Sequence, residues 1–370
     1  MEVMFVRAFL PHLDSRMNKY VRALKRKGYE SRFIGWIREN EEIEGDERSL
    51  FYRRTALLGG RWRNALSLFG WNFFVIKSLI RSRKRTSVVH AVDLDSALAA
   101  YIFCFIFRTP FVFDIYDHYA DTRSVRGLPG KLASSIERFL ARRADLTLLA
   151  DECRYHQHLL SPAPHIMVVE NVPDFEWPVT PISNLPRTPL KIGYFGVLEP
   201  INRGLENLLR ACADWDGVEL HIAGYGPLEG EVMEYEKRHS NVVYHGALSH
   251  ERGLRVLLEM HCVVGFYYLT VPNHRYASPN KYYEHLFLGR PLLTTKGTPP
   301  GDKVNSALTG WSLEEGEQQI RNWLHGVMYD DVVERGRRAR TLWAEYYEDY
   351  SLRVLEHEYC GRLMELAKYG

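Results

Sequence analysis

Two cations and one carboxylate carry the clearest chemical signal in this chain: Arg203, Lys281 and Glu284. Lys281 falls in the first turn of the helix expected within Ala277–Thr295 (ASPNKYYEHLFLGRPLLTT), and Arg203 with Gly204 directly precedes another expected helix start. A cation at the positive end of a helix dipole is unfavourable by several tenths of a kcal/mol, roughly, so both positions ask for an anion. Free N–H groups at such a turn, together with a lysine, make a phosphate site. Glu284 lies on the same helix face one turn deeper, where a carboxylate could accept from sugar hydroxyls. Phosphate at the turn and ribose below it describe a nucleotide diphosphate along the helix end. The alternative is a surface Lys–Glu pair worth under about half a kcal/mol.

A second group gathers after the segment TPFVFDI, which delivers Asp114, Tyr116, Asp117 and His118 to a strand's carboxyl end, where ligands of open parallel sheets bind. His118 beside Asp117 could orient or deprotonate an acceptor hydroxyl, or belong to a satisfied loop network. Asp93 and Asp95 have the spacing of a metal-diphosphate chelate, but the stronger reading has one of them cap the helix expected from Ser96. No metal is expected at the site.

The elements that must position these residues follow from periodicity and punctuation. Val3–Phe9, Ser15–Lys27 and Ser31–Trp36 read as strand, helix and strand, without a G-x-G-x-x-G fingerprint in the turn that holds Pro11. Further strands are expected at Ser87–Ala91, Thr109–Ile115, Leu146–Leu149 and Ile166–Val169, with a helix at Lys131–Arg143. Five prolines between Pro173 and Pro189 mark a linker. The alternation then restarts: Leu190–Phe195 strand, Leu205–Ala213 helix, Val218–Ala223 strand, Glu229–Arg238 helix, Val242–Tyr244 strand. Gly196, Gly224, Gly226 and Gly246 stand at the strand ends. Within Ala277–Thr295, Ser278 suits the N-cap, Pro279 the first helical position and Gly289 the left-handed residue after the last turn. The following segment KGTPPGDK reads as a loop, and Asp331–Asp349 and Leu352–Ala367 as helices. The expected division is 1–175, a linker at 176–189, a second doubly wound domain at 190–350, and a terminal helix at 351–370 bracing the first.

Composition narrows the class. A length of 370 residues suits two domains, and a net charge of +2 argues against a dedicated nucleic-acid binder. Five scattered cysteines without metal-ligand spacing read as reduced thiols of a cytosolic protein. The start MEVMFVRAFLP reads as a strand rather than a signal peptide, and the longest apolar run, Ala97–Phe107, is too short for a membrane span. From Gly59 to Arg85 seven basic residues and no acidic one interleave with aromatic and aliphatic side chains, whereas Glu39–Glu47 is mostly acidic. Such a helix either packs in the core through one face or lies on an anionic membrane, at its cytoplasmic face.

Taken together, YFGVLEPINRGLENLL, HIAGYGPLEGE, VVYHG and PNKYYEHLFLGRPLLTT resemble the nucleotide-sugar half of the retaining glycosyltransferases of family four. PHLDSRMNKYVRALKRKGYE, VVHAVDLDSALAA and FVFDIYDHYADTR resemble their N-terminal half, so the likeness spans nearly the whole chain. It implies the GT-B fold: two Rossmann-like parallel-sheet domains, a cleft between them, and C-terminal helices crossing back. It further implies that Arg203 and Lys281 hold the donor diphosphate, Glu284 the ribose, that amides near Gly196 and Asn280 assist, and that the Gly246 loop faces the base. His118 and Asp117 fall where the family meets donor sugar or acceptor. Eight residues before Glu284, where the family carries its other acidic residue, stands Tyr276, and His274 or Asn273 is the expected substitute. The implied activity is retaining, metal-independent hexosyl transfer from a UDP- or GDP-sugar to a glycan or lipid-linked acceptor. A nucleotide-sugar epimerase of the same build and an inactive nucleotide-binding scaffold are the alternatives.

Overall fold

The computed structural model describes residues 1–9, 14–37, 49–54, 61–123, 125–175 and 177–369, with the backbone alone for 61–66 and 369. The Pro11 turn, the acidic run Glu39–Glu47 and the beginning of the basic segment before residue 61 lie outside these. The chain divides into two units, one of Met1–Glu170 with Asp349–Gly370, the other of Asn171–Glu348.

The first unit alternates strand and helix: β1 (Glu2–Arg7), α1 (Ser15–Arg26), β2 (Glu30–Ile37), β3 (Leu50–Arg53), α2 (Arg61–Ser82), β4 (Val88–Val92), α3 (Asp93–Phe107), β5 (Phe111–Ile115), α4 (Tyr119–Thr122), α5 (Gly127–Arg143), β6 (Leu146–Leu149), α6 (Cys153–His158) and β7 (Ile166–Val168). The strands form one sheet in the order β3-β2-β1-β4-β5-β6-β7, each neighbouring pair parallel. Strands buried on both faces need near-continuous apolar runs, which VVHAV and FVFDI supply apart from His90 and Asp114. Those two are not orphans. Arg16 Nη2 donates to Asp114 Oδ1 at 3.1 Å, His90 Nε2 meets Asp114 Oδ2 at 3.3 Å, and His90 Nδ1 meets the Tyr359 hydroxyl at 2.8 Å. Burial alone would raise the Asp114 carboxyl; Arg16 and His90 outweigh it and hold it low. Asp114 is therefore a structural anion in the core. The same unit includes the C-terminal segment, where a wide helical stretch Ser351–Tyr359 packs on α1 and runs into Cys360–Tyr369.

The start of α3 differs from the sequence expectation. Val92 holds the cap position without a side-chain bond, and the helix begins at Asp93 rather than Ser96. Neither aspartate caps it: Asp93 accepts from Tyr116 N at 3.0 Å, and Asp95 pairs with Arg123.

The second unit runs β8 (Leu190–Phe195), α7 (Leu205–Ala213), β9 (Val218–Ala223), α8 (Glu229–Arg238), β10 (Val242–Tyr244), α9 (His250–Leu258), β11 (Cys262–Gly265), α10 (Asn280–Leu288), β12 (Leu292–Thr295), α11 (Pro299–Ala307), β13 (Gly310–Leu313), α12 (Glu317–Gly326) and α13 (Tyr329–Tyr346). Its sheet is again wholly parallel, in the order β10-β9-β8-β11-β12-β13. The order reverses between β8 and β11, and at such a switch point the loops diverge and leave a crevice.

Two local expectations are corrected here. Pro279, extended at φ −77° and ψ 147°, holds the cap position in place of Ser278; its carbonyl accepts from Tyr282 N at 3.2 Å and the helix begins at Asn280. KGTPPGDK is not all loop: Thr298 caps α11 by accepting from Gly301 N at 3.3 Å, and Pro299 and Pro300 fit a first turn that needs no N–H.

Candidate active site

At the switch point of the second unit the sheet edge is stripped of side chains. The chain leaves β8 through Gly196, where a Cβ would stand 2.7 Å from Lys281 Nζ, and leaves β9 through Gly224, where a Cβ would stand 1.8 Å from the Gly196 carbonyl oxygen. Gly224 N in turn donates to the Gly246 carbonyl at 2.8 Å, so the ends of β8, β9 and β10 lie side by side as bare backbone. Glycine is required where the chains approach this closely, and the same bareness lets a ligand come close to the backbone.

Lys281 lies across this edge. Its stem passes Gly265, where a Cβ would be 2.8 Å from Lys281 Cδ, and its Nζ sits 5.0 Å from the Tyr194 ring centroid. Burial pushes the ammonium down to about 8; Glu284 opposes that and Arg203 adds to it. Arg203 stacks 4.9 Å over the Tyr267 ring, and its Nε donates to Glu199 Oε2 at 3.2 Å. Burial pushes the Tyr194 phenol up to about 12, and Tyr267 is raised by the same cause, so both stay neutral and offer their ring faces to the cations. Two mutually repelling cations held over neutral rings beside a glycine edge without side chains form a receptor for a multiply charged anion.

Glu284, one turn beyond Lys281, is buried, and its Oε1 meets His250 Nε2 at 2.7 Å. His250 opens α9 behind the Ser249 cap and lies against the rings of Phe175 and Phe195. Asn280 is the first residue of α10 and is half-buried. His274 and Tyr276 belong to the single turn Pro272–Tyr276. His274 is buried, its Nδ1 2.7 Å from the Tyr268 carbonyl oxygen and its ring edge-on to Tyr267, so it supports the ring beneath Arg203. Sequence reasoning missed Tyr194, Tyr267 and His250. Aromatic side chains in and after buried strands look like core, and only the cations stacked on them reveal another task.

The far end of α10 is fixed by Arg290, which is fully buried. Its guanidinium donates to the carbonyls of Leu288 at 2.9 Å and Thr180 at 2.8 Å, and also to that of Leu258. The helix bearing Lys281 and Glu284 is thereby tied to the end of α9 and to the segment that precedes β8.

Residues 14–189 match the family model described as glycosyl transferase 4-like domain. This part of the chain is a glycosyl transferase 4-like domain. The fold of the whole chain is GT-B. Sucrose-phosphate synthase from Thermosynechococcus elongatus is similar to it over 100% of this chain and 99% of that one, with TM-score 0.71 and 14% identity. Anabaena HepE in complex with UDP and glucose is similar over 99% and 100%, with TM-score 0.68 and 14% identity. The lipopolysaccharide outer core galactosyltransferase WaaB covers 95% and is itself covered over 99%, with TM-score 0.60 and 15% identity. At these identities the likeness establishes the fold. No curated protein matches the chain significantly by sequence.

In the glycosyl transferase 4-like domain His118 and Asp117 lie in a polar network of their own. His118 Nδ1 meets Asp121 Oδ2 at 2.8 Å, its Nε2 meets Ser134 Oγ at 2.9 Å and Glu137 Oε1 at 3.8 Å, and His158 Nδ1 lies 3.0 Å from the same Glu137 oxygen. Asp117 pairs with Arg154 at 2.8 Å. Among the described residues His118, Glu137 and His158 are a group whose ligand-type atoms fall within 4.8 Å of one another.

The network carries a testable pH dependence. Burial pushes Glu137 up to about 7 from 4.5 and His158 down to about 3 from 6.5. A raised carboxyl contributes stability that is complete below the unfolded value and lost as pH rises through the folded one; a lowered histidine contributes stability lost as pH falls below 6.5. Between pH 4.5 and 6.5 the two oppose each other. Glu137→Gln leaves the histidine unopposed, so its deficit against wild type is expected to grow by about 2 kcal/mol on acidification across that window. Denaturant unfolding at both pH values measures this, and a pH-independent difference would refute it.

Proposed function

We propose that this protein transfers a glycosyl group from a nucleotide diphosphate sugar to an acceptor hydroxyl, with retention at the anomeric carbon and without a metal ion at the diphosphate. The observation that carries the proposal is the convergence of Arg203 and Lys281, stacked on Tyr267 and Tyr194, beside the bare Gly196 edge. The cations stabilise the charge that grows on the leaving diphosphate, the amides near Gly196 and Asn280 assist, and Glu284 holds the ribose. The Gly246 turn faces the base. The leaving phosphate takes the acceptor's proton on the face where the new bond forms, so no nucleophilic carboxylate is needed. His118 Nε2 is already hydrogen-bonded to Ser134 Oγ and Nδ1 lies against Asp121, which favours an orienting role for His118 and Asp117 on the acceptor side. UDP in the HepE complex makes a uridine donor the first to test, and a glycan or lipid-linked acceptor of cell-envelope assembly, met in the cytoplasm, is the acceptor class proposed.

Calorimetric titration with UDP, GDP and ADP tests the donor site. One nucleotide is expected to bind, and Glu284→Ala to weaken it about tenfold, ~1.4 kcal/mol. If none of the three binds, the reading fails; binding without transfer to any acceptor would point to a scaffold instead.

A further inference from the structure

The outer surface of the first unit's helices is apolar where water should meet it. On α2 the inward side is core, with Trp71, Val75 and Leu79 fully buried, while Phe69 and Phe73 are 77% and 72% exposed. The outward stripe of α3 is almost wholly apolar: Leu98, Ile102, Phe105 and Ile106, spaced for one helix face, are all exposed, Phe105 at 73%, and only the half-buried Tyr101 among them carries a polar atom. On α5, Leu132 and Phe139 are exposed as well. The three stripes adjoin, because α3 packs against both α2 and α5. Tyr101 of α3 meets Phe139 of α5 edge-on at 5.9 Å, and Arg83, just past α2, lies 5.4 Å over Phe107 of α3. A monomer rarely leaves so extended an apolar surface to water without a use for it.

Charge identifies the use. The exposed charged side chains around these stripes include Lys77, Arg81 and Lys84 by α2, Arg108 after α3, and Lys131 and Arg142 on α5. Among the described residues from 67 to 143, every acidic residue is buried or half-buried. Asp145, the first exposed carboxylate afterwards, accepts from Phe111 N at 2.8 Å. A second copy seated on this face would set like charges against each other. A protein partner would find a single hydrogen-bonding side chain along the α3 stripe, the half-buried Tyr101. Apolar residues bordered by cations alone fit the boundary between acyl chains and anionic headgroups.

We propose that the outer face of α2, α3 and α5 seats the first unit on a membrane surface rich in anionic lipid, the phenylalanines and isoleucines entering the acyl boundary and the lysines and arginines lying among the headgroups. The sequence pointed to one helix; the surface is built from three, with α3 supplying its apolar stripe. Among the described residues no helix is long and apolar enough to cross a membrane, so attachment through this face is peripheral. It extends the proposed transfer by bringing the enzyme to lipid-linked acceptors, but rests on this face and not on the donor site.

Flotation with vesicles of phosphatidylcholine, with and without a third of phosphatidylglycerol, tests it. Wild type is expected to float with the anionic vesicles and to bind neutral ones at least about tenfold more weakly. Phe105→Ser with Ile106→Ser, and separately Lys77→Glu with Arg81→Glu, are each expected to lose binding by about tenfold or more while keeping the wild-type nucleotide titration. Wild type that stays with the unbound fraction in both lipids overturns the proposal, as does vesicle binding unchanged in both double variants. A dimer in sedimentation that the Phe105 and Ile106 changes dissociate, without vesicle binding, assigns the face to a second copy and equally overturns it. Failure of every nucleotide to bind a protein that still floats would refute the donor reading and leave this one standing.

Discussion

Lys281→Met is expected to lower kcat by roughly a hundred- to a thousandfold, because in the proposed transfer the lysine serves a charge that is greatest in the transition state. The methionine keeps the apolar stem over Gly265 and removes only the ammonium, so loss of rate reports charge and not packing. A pH series separates this from general damage. Burial pushes Lys281 down to about 8, and a bound diphosphate favours the protonated form. Wild-type affinity for the nucleotide should therefore fall as pH rises above 8, with a proton taken up on binding there. The methionine variant should show no such fall. A variant kcat within threefold of wild type, or equal pH profiles, would remove Lys281 from the reaction.

Arg290→Ala should produce the largest loss of stability, at least about 3 kcal/mol, by stranding buried carbonyls and opening a cavity. Arg290 donates to Leu288, Thr180 and Leu258, and a buried acceptor that loses its donor bears the full cost of desolvation. Arg290→Met, which fills much of the space, is expected to remain almost as unstable, since it restores no donor. Denaturant unfolding of both variants decides between bonding and packing: a methionine variant near wild type would show that volume, not hydrogen bonding, is what the site requires. Because α10 carries Lys281 and Glu284, nucleotide affinity should fall in the same variants even at temperatures where they remain folded.

The second unit was legible largely because its segments are punctuated by glycine. Leu190–Phe195, Leu205–Ala213, Val218–Ala223, Glu229–Arg238 and Val242–Tyr244 fall where periodicity and the glycines between them place them. Where such marks are weak the reading failed. Cys262–Gly265 is four residues long with no turn signal before it, and Pro299–Pro300 looks like loop until the threonine in front of it is seen capping a helix. At the site, Arg203, Lys281 and Glu284 could be found because a cation at a helix start is unfavourable without an anion. Their aromatic supports could not, since Tyr194 and Tyr267 obey the same burial rules as any core residue. The His118 network was equally hidden: Ser134, Glu137 and His158 come from two different helices, and no spacing in the sequence joins them to a loop histidine. The basic aromatic segment was read as core or membrane, and α2 presents a buried face together with an outward apolar one.

The first unit is completed by Asp349–Gly370, with Tyr359 buried against Tyr20 and His90 and the Tyr350 hydroxyl accepting from Glu170 N at 2.6 Å. During translation the whole of Asn171–Glu348 leaves the ribosome before that closing segment does. The part of the protein made first is thus finished last, waiting with His90 and Tyr20 uncovered while the part made later closes its own sheet. A released chain ending at residue 348 would carry a complete second unit and an unsealed first one, a substrate for chaperones at its N-terminal rather than its C-terminal half.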